Sequence, residues 1–137
     1  MATRKPRLSN DKFKAFTRYM IQAAKQKRCV PYVELENVFG LGHDLVGFYA
    51  GHLGNYCNAR KIPILNGLII SSTDCVPSEG FSWYQKKYKK SWGEIVSECW
   101  QHFHLTSSRA KQSQHYSGRD KDIDSFLATL PTGEREA

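Results

Sequence analysis

Apolar residues recur at helical spacing near the start of the chain, after residues that can cap a helix. They share one stripe and comprise Phe13, Phe16, Met20 and Ala23 or Ala24. Ser9 or Asn10 precedes this stripe and has the side-chain oxygen that an N-cap requires. The pattern therefore predicts a first helix that runs from this cap to about Lys27.

The next part of the chain has the outline of a helix-turn-helix. Pro31 favours an extended backbone at Val30, residues 33–39 show a short helical pattern, and residues 43–60 show a longer one after Gly40-Leu41-Gly42. Gly47, Gly51 and Gly54 repeat at spacings of four and three within the longer helix, where each costs about 1 kcal/mol relative to Ala. We interpret them as sites of tight helix packing rather than of ligand contact.

A hairpin and a closing helix are expected to follow. Residues 64–71 are rich in Ile and Leu, and Phe81-Ser82-Trp83-Tyr84 is aromatic, so the two segments predict the strands of a wing-like hairpin. Ser91 and Glu94 match the S-x-x-E capping box that opens a helix. The expected fold class is α+β: a winged helix-turn-helix-like domain with an N-terminal helix, a short helix, a longer helix, a two-stranded hairpin and a closing helix.

The two ends of the chain differ from this domain. Residues 1–8 are predicted to be a disordered basic arm, residues 9–104 one globular domain and residues 105–137 a polar tail. Within the tail, residues 122–130 place Ile123, Phe126, Leu127 and Leu130 on one helix face. This segment either docks on the domain or binds the groove of a protein partner.

The net charge of +7 over 137 residues is unevenly distributed. Residues 1–28 contribute +8 and residues 81–104 contribute +2, whereas residues 29–80 contribute −3 and the remainder is neutral. This balance excludes an acidic DNA mimic. It favours a phosphate-bearing partner for the two basic segments, with solubility as the alternative explanation.

Candidate catalytic residues occur only singly. Cys57 or Cys75 with His43 or His52 would make a nucleophile pair, and a metal-dependent phosphodiesterase would use His43, Asp44, Asp74 and Glu79. Neither set has a diagnostic spacing, and the four cysteines contain no C-x-x-C pair. Asp44 suits a helix N-terminus and Asp74 suits a turn. We therefore predict no catalytic residue, no metal and no cofactor, and lean against an enzyme.

Residues 30–81 resemble the C-terminal DNA-binding domain of the O6-alkylguanine alkyltransferases and alkyltransferase-like proteins. The matching segments are Val30-Pro31-Tyr32, residues 45–51 (LVGFYAG) and residues 62–69 (IPILNGLI). The family's reactive Cys, its His and its Arg fall on Ile64, Leu65 and Asn66, and its helix Arg falls near Gly47. The resemblance implies a winged-helix scaffold without alkyl transfer or base flipping. Asn66, the polar residue of this strand, would satisfy nearby backbone or contact a ligand.

We expect a nucleic-acid-binding protein, with double-stranded DNA as the favoured ligand and RNA as the alternative. The helix over 43–60 would enter a groove and basic residues would contact phosphates. The candidate binding residues are Arg4, Lys5, Arg7, Lys12, Lys14, Arg18, His52, Asn55, Arg60, Lys86, Lys87, Lys89 and Lys90. A protein-interaction or regulatory module is the second hypothesis; it would bind protein through the mildly acidic, glycine-lined middle of the domain and through the 122–130 segment. A small hydrolase or nuclease is the third.

The expected location is the cytoplasm, with the nucleoid or the nucleus as alternatives. No apolar run approaches the ~18 residues of a membrane span, so we predict no membrane partner. The N-terminus also lacks the apolar segment of a secretory signal.

Overall fold

Three helices and a glycine turn form the first half of the computed structural model, which describes residues 7–77, 81–104 and 116–131. The elements are α1 (Asn10–Lys25), β1 (Val30–Pro31), α2 (Tyr32–Phe39) and α3 (His43–Arg60). Ser9 caps α1 by accepting a hydrogen bond from the Lys12 amide. Gly40 ends α2 in the left-handed conformation (φ 64°), which glycine adopts without a steric penalty. The three predicted helices are confirmed.

The predicted hairpin is wrong. Leu65–Leu68 forms a turn of 3-10 helix, and only Ile69–Ile70 is strand (β2). β2 pairs in parallel with β1, with Val30 opposite Ile69. All four residues of the 3-10 turn are buried, and a Cβ at Gly67 would lie 2.9 Å from the Phe81 ring. The run of Ile and Leu predicted a strand here. The chain instead forms a buried turn at Leu65–Leu68, because Gly67 packs closely against the Phe81 ring.

The segment predicted as the second strand is a helix, α4 (Ser82–Tyr88). Phe81, Tyr84 and Tyr88 recur at helical spacing, and the first two are buried against the core. Aromatic residues favour strands in general, but here their helical spacing decides which element forms. The structure therefore has no antiparallel wing in its described residues, and α4 occupies this position in the sequence.

Two further helices complete the part of the fold that the structure describes. The capping box of Ser91 and Glu94 is present in both directions and opens α5 (Trp92–Phe103). After residues outside the described part of the chain, α6 (Tyr116–Leu127) packs against α1. Ile123, Phe126 and Leu127 are buried in the same core as α1 and α3, so the 122–130 segment docks on its own chain. The molecule is mostly helical, with a small parallel sheet.

The predicted disordered arm does not extend to Leu8. Leu8, expected in the disordered arm, is fully buried, and the Ser9 amide donates a hydrogen bond to the Tyr49 hydroxyl of α3. An apolar side chain next to a capping residue extends the packed face of the helix. The prediction of a disordered arm rested on its basic composition and did not take this packing into account. Residues 1–6, including Arg4 and Lys5, lie outside the described residues.

Candidate nucleic-acid interface

The structure divides the predicted basic residues according to whether a carboxylate already pairs with them. Lys14, Arg18 and Arg60 pair with carboxylates of α6, and we call these three residues the covered cations. Lys86 and Lys87 of α4 and Lys89, which directly follows it, are exposed, and none forms a salt bridge with any residue that the structure describes; we call these the open lysines. Arg7 and Lys12 are exposed near the start of α1.

The covered cations meet three acidic residues spaced two apart on α6. Lys14 Nζ lies 2.8 Å from Asp124, Arg18 contacts Asp120, and Arg60 Nε donates to Asp122 at 2.6 Å. The hydrogen bond with Asp124 raises the pKa of Lys14. These side chains were candidates for phosphate contacts, but each already has an anionic partner within the chain.

Asp122 also accepts a hydrogen bond from the Tyr56 hydroxyl of α3, and Arg119 donates one to the same hydroxyl. Burial, opposed by Arg119, raises the pKa of Tyr56 to about 12. The Phe126 ring lies edge-on to the Tyr56 ring, with centroids 5.3 Å apart. α6 is thus held by charge, by hydrogen bonds and by apolar packing on the same side of α3.

The opposite side of α3 is open. A Cβ at Gly47 or Gly51 would have no neighbour within 4 Å. At Gly54, by contrast, a Cβ would lie 2.1 Å from the Tyr84 hydroxyl oxygen. The predicted tight packing therefore holds at Gly54, whereas Gly47 and Gly51 line an open surface.

A groove of about 410 Å³ runs between this open side of α3 and α4. Gly47, Gly51 and Asn55 line it from α3, and Trp83 and Tyr84 line it from α4. Tyr88, at the end of α4, donates a hydrogen bond to the Asn58 side chain of α3. The contacts of Tyr84 with Gly54 and of Tyr88 with Asn58 fix α4 along α3. Lys87 is therefore beside the groove, since its ammonium lies over the ring of Trp83, and Lys86 and Lys89 are close to it in sequence.

Asn55 is exposed in the groove, as its predicted role requires, but His52 is not. His52 is only 8% exposed and packs edge-on against Phe48, with ring centroids 4.7 Å apart. Lys90 differs from the open lysines because its ammonium lies 2.6 Å from Glu98 of α5. Of the predicted residues near α3 and α4, Asn55 and the buried His52 line the groove, and none of the open lysines does.

Asn66 lies at the inner end of the glycine surface, in an adjoining cavity of about 200 Å³ that also contacts Gly47, Gly51 and Tyr84. Its side chain is buried, and its Oδ1 has no hydrogen-bond partner among the described residues. The expectation that this amide satisfies nearby backbone is therefore not met for Oδ1.

Two features of the structure were not predicted from the sequence: the exposed Trp83 beside Lys87, and the acidic residues of α6 that pair with the covered cations. Trp83 is 55% exposed, and Lys87 Nζ lies 4.9 Å from its ring centroid. Trp83 and Lys87 are four residues apart, so a helical interpretation of residues 81–88 would have placed them together. The acidic residues of α6 have no comparable signal, because their partners lie 62 or more positions away.

The described residues disfavour the candidate catalytic sets, of which Glu79 lies outside the described ranges. Cys57 is fully buried, and burial raises the pKa of its thiol to about 12, which disfavours the thiolate. His43 is 70% exposed at the start of α3, where its ring packs against Tyr32. Within the described ranges, no three His, Cys, Asp or Glu side chains are grouped as metal ligands would be.

Comparison of the chain with protein-family models, curated proteins and solved structures finds no match. The resemblance to the alkyltransferase DNA-binding domain therefore stays a prediction. In the part of the chain that the structure describes, no helix is both long and apolar enough to cross a membrane.

Proposed function

We propose that this protein binds nucleic acid through the face formed by α3 and α4, with the open lysines contacting phosphates. One observation carries the proposal: Lys86, Lys87 and Lys89 are exposed and form no salt bridge with the described residues, and Lys87 lies over Trp83, which lines a groove that α3 leaves open. Cations that have no internal partner can neutralise phosphates of a nucleic acid, and the release of the counterions condensed on its backbone then drives binding.

The order of α2, a glycine turn and α3 supports a helix-turn-helix scaffold, with α4 where a wing was expected. The exposed surface of α3 favours binding with little sequence preference. Asn55 is its polar residue in the groove, while Asn58 already accepts a hydrogen bond from Tyr88. Specific readout in a major groove normally uses several side chains that bond to base edges, and the glycine surface offers few.

The protein-interaction hypothesis loses one of its two supports. Ile123, Phe126 and Leu127 of the 122–130 segment are buried in the core and Leu130 is partly buried against it, so the segment presents no open apolar face to a partner. Its other support, the glycine-lined middle of the domain, is the same groove that the nucleic-acid proposal uses. Lysines along the edge of that groove favour a polyanion over an apolar peptide.

A salt titration of binding to a mixed-sequence DNA duplex tests the proposal. We expect affinity to fall steeply with salt and K86Q/K89Q to reduce the slope of log K against log salt by about 1.8, at ~0.9 per lost phosphate contact. The charge-matched control K27Q/K121Q removes two exposed lysines outside the groove and is expected to leave the slope near that of the wild type.

Absence of binding to duplex and to single-stranded DNA at low salt would overturn the proposal. An equal loss of slope in K86Q/K89Q and K27Q/K121Q would also overturn it, because it would show that net charge rather than the α3–α4 face controls binding.

A further inference from the structure

Trp83 is the most exposed large apolar side chain among those described, at 55%. It lies on the outer side of α4, because Phe81, Tyr84 and Tyr88 direct the other side toward the core. Its ring meets the Tyr84 ring edge-on, with centroids 5.0 Å apart and planes at 89°. An indole kept at the surface leaves a large apolar area in water, which a ligand can cover.

The position of Trp83 is fixed by its neighbours. Tyr84 is buried and lies against Gly54, while Tyr88 donates its hydrogen bond to Asn58. The helix turn that carries the indole is thus attached to α3 on both sides. A ring held in this way contacts a ligand with less loss of conformational entropy than a mobile side chain would.

The surroundings of the indole indicate the chemistry of its ligand. Lys87 Nζ is 4.9 Å from the ring centroid, Lys86 is exposed on the same short helix, and Lys89 is exposed directly after it. A ligand that satisfies this surface carries negative charge and a flat ring close together. An unpaired nucleotide has both, whereas the bases of an intact duplex are stacked on one another and closed to an indole.

We infer that Trp83 is a stacking platform for an unpaired base, and that the α3–α4 groove preferentially takes a single-stranded segment of nucleic acid. This inference rests on the proposed function and specifies the form of its ligand. The base stacks on the exposed indole, and the open lysines contact the flanking phosphates. Stacking is tolerant of sequence because every base has a π-face, which suits a groove that has few base-edge contacts.

The test compares oligodeoxythymidine with a duplex of the same length, using full-length wild-type protein, W83A, W83F and K86Q/K89Q. We expect wild type to bind the single strand more tightly than the duplex and W83A to lose about tenfold or more of that affinity. The salt slope of W83A is expected to match wild type, because the indole contacts no phosphate. W83F is expected to recover most of the lost affinity because it keeps an aromatic face.

Two results would overturn the stacking role while leaving the proposed function intact. One is W83A binding the single strand as wild type does, while K86Q/K89Q still weakens binding and lowers the salt slope. The other is tighter binding of wild type to the duplex. Failure of wild type to bind either oligonucleotide would overturn both proposals. Because Trp83 is more than half exposed, W83A is expected to fold, and an unchanged thermal unfolding midpoint checks this.

Discussion

The covered cations and the open lysines carry the same charge in the sequence but differ in what the fold leaves available. Lys14, Arg18 and Arg60 each face a carboxylate of α6, whereas Lys86, Lys87 and Lys89 face solvent beside the groove. The N-terminal segment holds the larger excess of positive charge, yet two of its cations are neutralised from the far end of the chain. Net charge along a sequence is therefore a poor measure of the surface that a polyanion can reach.

The two sides of α3 show the same contrast in packing. On one side Tyr56 contacts Phe126 and Asp122 of α6. On the other, Gly47 and Gly51 line an open groove. One side of the helix is used for stability, and the other remains available for a ligand.

The largest expected effect comes from removing the apolar packing of α6 against α1 and α3. Phe126→Ala removes a buried ring that lies against Phe13 and Tyr56, and we expect it to lower the free energy of unfolding by about 3–5 kcal/mol. Urea denaturation measures this change, with Ser125→Ala, at an exposed position on the same helix, as the control. A loss below about 1 kcal/mol would mean that α6 contributes little to the fold.

Alanine substitutions in α3 sharpen the contrast between its packed and open glycines. Gly54→Ala places a Cβ against Tyr84 and Asn66 and is expected to destabilise by about 1–3 kcal/mol. Gly51→Ala meets no neighbour, so its better helix propensity is expected to stabilise by up to about 1 kcal/mol. Thermal unfolding of the two variants measures both signs. Equal effects would show that the glycines do not differ in packing.

The smallest expected effect concerns the ion pair between Arg28, which follows α1, and Glu34 of α2. A hydrogen bond from Arg28 holds the pKa of Glu34 below its ordinary value of 4.5, so the contribution of Glu34 to stability is present above that pH and lost as pH falls through the lower folded pKa. Because both side chains are partly exposed, we expect less than about 1 kcal/mol. Stability measured against pH should converge for wild type and Glu34→Gln in acid; parallel curves would contradict the assignment.

Local signals predicted α1, α2, α3 and α5 well. The cap at Ser9, the glycine turn before α3 and the capping box at Ser91 are each determined by residues within a few positions of one another. These features needed no knowledge of the rest of the chain, and the structure retains all of them.

The prediction of a wing was wrong, because tertiary packing decides which elements residues 64–71 and 81–84 form. Leu65–Leu68 turns where Gly67 lies against Phe81 and Ile95, and Phe81 itself belongs to the helical pattern of α4. The pairing of Arg18 with Asp120 was equally inaccessible, since it joins positions 102 residues apart. The lysines of the candidate interface were named from their charge alone. Its indole was missed because residues 81–84 were assigned to a strand rather than to α4.

The central claim is that the open lysines, and not the covered cations, contact nucleic acid. The most direct test is the salt dependence of DNA binding for two charge-matched variants, K86Q/K89Q and K14Q/R60Q, after thermal unfolding confirms that both are folded. The account predicts a slope reduced by about 1.8 for K86Q/K89Q and a slope near wild type for K14Q/R60Q. A reduced slope in K14Q/R60Q together with an unchanged slope in K86Q/K89Q would contradict it.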